Sequence, residues 1–386
     1  MSLCAATMAQ LHLNPLVDGS QAVDSITMAQ ACLRLRASCN SDGANLNLRS
    51  VLVSFFLHVY HAKVNQQNSA MMFMQEAMAG ARILRLHEEF PHEEDELIAN
   101  RALVFPLLWV SERGYSLHLS LSTSFIEPPE LIDLGRNPNA DVHSQGLLEL
   151  VKLFIAFDQI SIRRNSRLGI TMATHLTDTE AKLASLCFSM TNHASTRTAD
   201  YHITRQWMRT ILWQEALTMG LLSSSACTSV LEFGFPAQVG RGLLQALQGF
   251  SETDLLPLGR DQLLKCFEVA NSLADTVLLS PQKLSSRLEL GPQDFLHALY
   301  QKIVPFLEQD AMLNSILRAK TAEALVAAPA RLLTAGEEDV GRQSGEHGPG
   351  PQAPLSEYIP NRELDEQNEL TPDFLDWLLQ SDLQII

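Results

Sequence analysis

The stretch "LLWVSERGYSLHLSLS" (107–122) sets Glu112 and Arg113 directly behind an apolar run from Leu107 to Val110, with Tyr115 close after. A carboxylate beside a guanidinium offers three chemistries: a surface ion pair, a buried pair that fixes helix packing, or a catalytic acid. The third is the weakest, because a neighbouring cation favours the ionised carboxylate and spoils it as a proton donor. His58 and His61 in "HVYH" lie one turn apart, but two imidazoles alone do not make a metal site. In "HEEFPH" (87–92), His87 and His92 are five apart with Pro91 between them, so they cannot share a helix face as zinc-protease ligands do. Cys32 and Cys39 have six residues between them. That spacing occurs inside binuclear zinc clusters, but two thiols cannot hold two tetrahedral zinc ions.

The six cysteines are scattered with no CxxC, which reads as reduced thiols in an intracellular protein. Neither a phosphate-binding glycine loop nor a GxSxG elbow is present. No catalytic residue, metal ligand or cofactor is expected, and the chain reads as a non-enzyme.

The elements that must carry these residues are helical. Apolar residues recur at three- and four-residue spacing in 22–37, 48–64, 69–86, 95–118, 145–163, 177–193, 201–222, 261–279, 292–306 and 311–327. Ser69 and Asp200 stand where N-caps would. Pro91, Pro128-Pro129, Pro236, Pro257 and Pro281 read as breakers. "HLSLSTSFI" (118–126) is the best strand-like stretch, and it reads equally well as extended loop. The expected fold is all-α: a large multi-helix regulatory domain over 1–330, a Gly/Pro-rich linker over 331–360 and an acidic-hydrophobic segment over 361–386. Residues 341–354, "GRQSGEHGPGPQAP", hold four glycines and three prolines and cannot bury enough apolar surface to order themselves.

Charge narrows the partners. The formal net charge is −16, and residues 335–386 carry 12 acidic side chains against 2 basic ones. An acidic chain repels phosphate backbones, so no direct nucleic-acid contact by this chain is expected. No apolar run reaches the roughly 18–20 residues of a membrane span, and no membrane role is expected.

Several stretches, in order, resemble the regulatory middle region of fungal-specific transcription factors of the binuclear zinc-cluster class, in particular the starch and maltose utilisation subgroup. They are "ITMAQACLRLRAS" (26–38), "SVLVSFFLHVYHAKVNQQNSAMMFMQEAMAGARILRLHEE" (50–89), "NRALVFPLLWVSERGYSLHLS" (100–120), "LLELVKLFIAFDQ" (147–159), "TRQWMRTILWQ" (204–214) and "CFEVANSLADTVL" (266–278). The resemblance implies that Arg101, Trp109, Glu112, Arg113, Tyr115, Trp207 and Trp213 form a packing hub. Trp109 and Arg113 are four apart, so the guanidinium can lie on the indole, while Glu112 is expected to meet a cation from a neighbouring helix.

Two departures from the family matter. A basic and an aromatic pair usually precede the tryptophan position; here only Arg101 remains, and Pro106 stands where an aromatic is common. Inside a helix that proline costs about 3 kcal/mol or forces a kink. The zinc cluster should also precede the middle region, and here the middle region begins within about 20 residues of Met1. The expectation is a nuclear, pathway-specific or carbon-metabolism regulator, including secondary metabolism, that works through other transcription regulators or coactivators. The alternatives are an inducer-sensing helical domain from a truncated zinc-cluster activator, which would bind a small molecule, and a helical enzyme. In the tail, Thr371 and Pro372 are expected to begin a short helix that places Phe374, Leu375, Trp377 and Leu378 either as an activation segment for a coactivator or as a C-terminal anchor docked on the helical domain.

Overall fold

The computed structural model describes residues 1–330 apart from 19–20, 40–45, 89–101, 126, 130–141, 164–168, 187–195, 227, 252–254, 256–257, 280–289 and 308–309. Arg101 and the whole of 331–386, with Phe374, Leu375, Trp377 and Leu378, lie outside the described residues.

Twelve α-helices make up the described fold. They are α1 (Ser2–Gln10), α2 (Ser25–Cys39), α3 (Leu48–Lys63), α4 (Gln67–Ile83), α5 (Val104–His118), α6 (Val142–Arg163), α7 (Gly169–Ser185), α8 (Thr196–Thr218), α9 (Phe235–Leu247), α10 (Gly259–Leu279), α11 (Pro292–Leu307) and α12 (Ala311–Ala327). The only strands among the described residues are Leu16–Asp18 and Gln21–Val23, paired as an antiparallel hairpin. The all-α expectation stands.

Several boundaries differ, each for a physical reason. Of the pattern over 95–118, residues 95–101 lie outside the described residues, and after a turn at Leu103 helix α5 starts at Val104. Pro106 therefore sits in the first turn, where backbone N–H groups lack intrahelical partners in any case, and it neither kinks α5 nor costs a hydrogen bond. Pro236 opens α9 at its first turn instead of breaking a helix. Ser69 and Asp200 are not caps, because α4 begins at Gln67 and α8 at Thr196. The stretch 121–125 is irregular chain, not a strand.

Helices α3, α4, α5 and α8 end in the same way. In α5, Leu121 N–H donates to the Ser116 carbonyl at 2.9 Å and Ser120 N–H to Leu117 at 3.3 Å. Ser120 takes the left-handed conformation this requires, with φ of 52°. Asn65, Arg85 and Gly220 close the other three at φ of 59°, 55° and 65°. These stops turn the chain sharply and let α3 pack as a hairpin on α4.

Helix α8 is the axis of the larger core. It packs against α6, α7, α9 and α10, and it buries Tyr201, Ile203, Trp207, Met208, Leu212 and Trp213. Helices α11 and α12 cover the far side of α10. Helix α9 comes close to α10 at Gly240, where a Cβ would stand 2.6 Å from Cδ2 of the fully buried Leu273. Small residues do the same for α1: Ala5 and Ala6 pack against Ala29 and Tyr60.

Candidate functional site

Helix α5 carries a polar cluster at each end of its buried length. Trp109 is fully buried and donates from Nε1 to the Glu127 carbonyl at 3.1 Å. One turn later the Arg113 guanidinium lies 3.6 Å from the centre of that indole. Its Nε and one terminal nitrogen reach Asp158 of α6 at 3.0 and 2.9 Å, and the terminal nitrogen also donates to the Phe125 carbonyl at 2.8 Å. Burial pulls the Arg113 pKa down, and the nearby carboxylates offset part of this.

Glu112 departs from the expected pairing. It is fully buried and meets no cation from a neighbouring helix among the described residues. Its Oε1 accepts from the Gln75 amide at 3.0 Å and from the Ser124 backbone N–H at 2.9 Å. Tyr115 donates to the Gln67 carbonyl at 3.4 Å and meets the His58 ring edge-on at 4.9 Å. Arg113 and Glu112 thus tie α5 to α6, to α4 and to the strand-free segment 123–125.

The second cluster surrounds Trp207. His118, the last residue of α5, stacks on the Trp207 indole at 4.6 Å between centroids. Its Nε2 stands 2.9 Å from Asp261 and its Nδ1 3.4 Å from Glu268, both on α10. The Trp207 Nε1–H donates to the other oxygen of Glu268. Burial alone would lower the His118 pKa, but the two carboxylates outweigh it and push the value up to about 9. Lys265 is nearly buried, pairs with Asp261 at 2.8 Å and donates to Thr204 at 3.2 Å. Asp200 accepts from Thr204 and from Gln262, the latter at 2.7 Å, and burial raises its pKa despite nearby cations.

The structure separates Trp213 from both clusters. It bonds the Glu232 carbonyl at 3.0 Å through Nε1, near the bidentate pair Arg209–Glu180, whose shortest contact is 2.7 Å. The expected seven-residue hub is therefore three neighbouring sites on α5 and α8, with Arg101 outside the described residues. Sequence reasoning missed His118, Asp261, Lys265 and Glu268. A signal was present: 261, 265 and 268 share one helix face, and a run of charge on the inward face of a helix calls for an internal partner.

None of this presents a reactive group to a substrate. His58 is buried with Nδ1 2.9 Å from the Ala70 carbonyl, and His61 with Nδ1 2.6 Å from Gln66 Oε1. Burial lowers the His58 pKa to about 4. Burial likewise pushes the Cys266 thiol up to about 12, so it is a poor nucleophile. Among the described residues no group of three or more His, Cys, Asp or Glu is arranged to hold a metal ion, and no described helix is long and apolar enough to cross a membrane.

The chain is similar to fungal proteins of sucrose and maltose use. It is 22% identical over 258 residues to "Probable sucrose utilization protein" of Candida albicans, covering 64% of this chain and 50% of that protein. Two maltose fermentation regulatory proteins of Saccharomyces cerevisiae are 23% and 22% identical over 303 and 304 residues, each match covering 72% of this chain and 60% or 59% of the relative. The chain thus spans half to three-fifths of the length of these relatives, and none of the three is named as an enzyme. No protein-family model matches the chain, and no solved structure does.

Proposed function

We propose that this chain is a non-enzymatic transcriptional regulator of carbon metabolism. It would act in the nucleus by engaging other transcription regulators or coactivators, with residues 1–330 as the regulatory domain. The observation that carries the reading is the similarity to two maltose fermentation regulatory proteins and a probable sucrose utilization protein, maintained across about two thirds of the chain. The polar clusters fit this reading, since they tie the helices to one another. The net charge of −16 argues against phosphate-backbone contact by this polypeptide, so protein partners would bring it to promoters.

The tail supplies the test. Thr371 as N-cap, Pro372 behind it, and Phe374, Leu375, Trp377 and Leu378 among aspartates make an acidic-hydrophobic segment suited to a coactivator groove. Residues 355–386 fused to an unrelated DNA-binding domain are expected to activate a reporter, and Phe374→Ala with Trp377→Ala to abolish that activation. A silent fusion would remove the coactivator reading. A second reading, a domain that senses a small inducer, is favoured by the cleft described next.

A further inference from the structure

A cleft of about 160 Å³ opens where the ends of α3 and α9 meet α8, α10 and α11. Its wall is mostly apolar, with Ile203, Leu247, Leu263, Ile303 and Phe306. Its polar side chains are Lys63, the last residue of α3, with Arg260, Asp310, Gln262 and His12. Arg260 is already held: its Nε meets Asp310 at 3.0 Å and one terminal nitrogen meets Asn65 at 3.3 Å. Lys63 makes no hydrogen bond or ion pair among the described residues, and it is half-buried beside a second cation. Burial and then the Arg260 charge both pull its pKa down, against a smaller pull the other way from Asp310. With His12 neutral, two cations against one carboxylate leave a single positive charge uncompensated there.

We infer that this cleft binds a small monocarboxylic acid with an apolar body, its carboxylate on Lys63 and its tail along Ile203, Leu247, Ile303 and Phe306. The charge count favours one negative charge. The wall favours hydrocarbon, since buried polar groups need partners that it does not supply. A sugar fits poorly: its many hydroxyls would find little beyond Gln262 and the charged rim. The relatives' names speak of sugars, so this assignment sets the ligand class apart from theirs. It concerns binding to the purified chain, so its failure would leave the regulatory reading standing.

Calorimetry and thermal shift with octanoate, octanamide and maltose test it. Octanoate is expected to bind one per chain and raise Tm, and octanamide to bind at least about tenfold more weakly, as loss of a charge-assisted contact implies. Lys63→Met is expected to lose about the same factor for octanoate while its own Tm holds. If that variant does not fold, the wild-type protein still decides: the ¹³C-carboxyl of bound octanoate should titrate at lower pH than the free acid. Absence of octanoate binding, equal affinity for octanamide, an unshifted carboxyl titration, or maltose binding in its place would each overturn the assignment.

Discussion

Trp109→Ala is expected to destabilise the helical domain by about 3–5 kcal/mol, in the range of large aromatic truncations in cores. The residue is fully buried in the main core cluster, so truncation leaves a cavity among packed side chains. The loss extends beyond hydrocarbon. The indole N–H bond to Glu127 disappears, and Arg113 loses the ring on which its guanidinium rests. An arginine freed from that face holds Asp158 less well, and a poorly paired buried charge is costly. Urea denaturation of the soluble variant measures the effect. Trp109→Phe, which keeps a ring under Arg113, should recover a large part of it. A Trp109→Ala protein with unchanged stability would show that the core does not depend on this contact.

Stability is expected to fall by up to about 3 kcal/mol as pH rises from 6.5 to beyond 9, with His118 as the cause. Its pKa is 6.5 when unfolded and about 9 in the fold, so the folded state binds the extra proton in that window. A raised pKa gives stability that is complete below about 6.5 and lost as pH climbs through about 9. At about 1.4 kcal/mol per pKa unit the shift gives the magnitude above. The His118 side chain is 8% exposed, but its partners Asp261 and Glu268 are 48% and 32% exposed, so solvent screening trims the effect. Asp261, Glu268 and Lys265 face it from α10, and the Trp207 ring faces it from α8.

His58 works in the opposite sense. Its pKa falls to about 4, so its contribution is present above about 6.5 and lost on acidification. The optimum should therefore lie near pH 6.5. His118→Gln is expected to flatten the alkaline limb and leave the acid limb in place. An alkaline limb equally steep in the variant would show that another group titrates there.

Much of the fold was legible in the sequence, because apolar spacing over 48–64, 261–279 and 311–327 matches helices whose one face packs inward. Helix α8 shows where that reading stops. Spacing finds a helix near 201–222, but it does not say that neighbours wrap several sides of it. Asp200 looks like a cap because an aspartate before an apolar run usually is one. Here it lies within α8, and Gln262 on α10 supplies the partner that makes burial tolerable. Such partners are remote in sequence, and single-chain periodicity carries no information about them. The Trp109–Arg113 contact was legible because both residues lie on one helix. The Glu112 environment was not, because Gln75 and Ser124 come from elsewhere in the chain.

The close approach at Gly240 has a consequence for heredity. Every single-base missense change in a glycine codon installs a larger side chain, and at this position even alanine would press on Leu273, which is itself fully enclosed. Overpacking of this kind typically costs about 1–3 kcal/mol, enough to be tolerated in the cool and exposed by heat. Random mutagenesis should thus return codon 240 among temperature-sensitive alleles, rescued in part by a smaller residue at 273. Such suppressor pairs would report the crossing of α9 and α10 from phenotype alone.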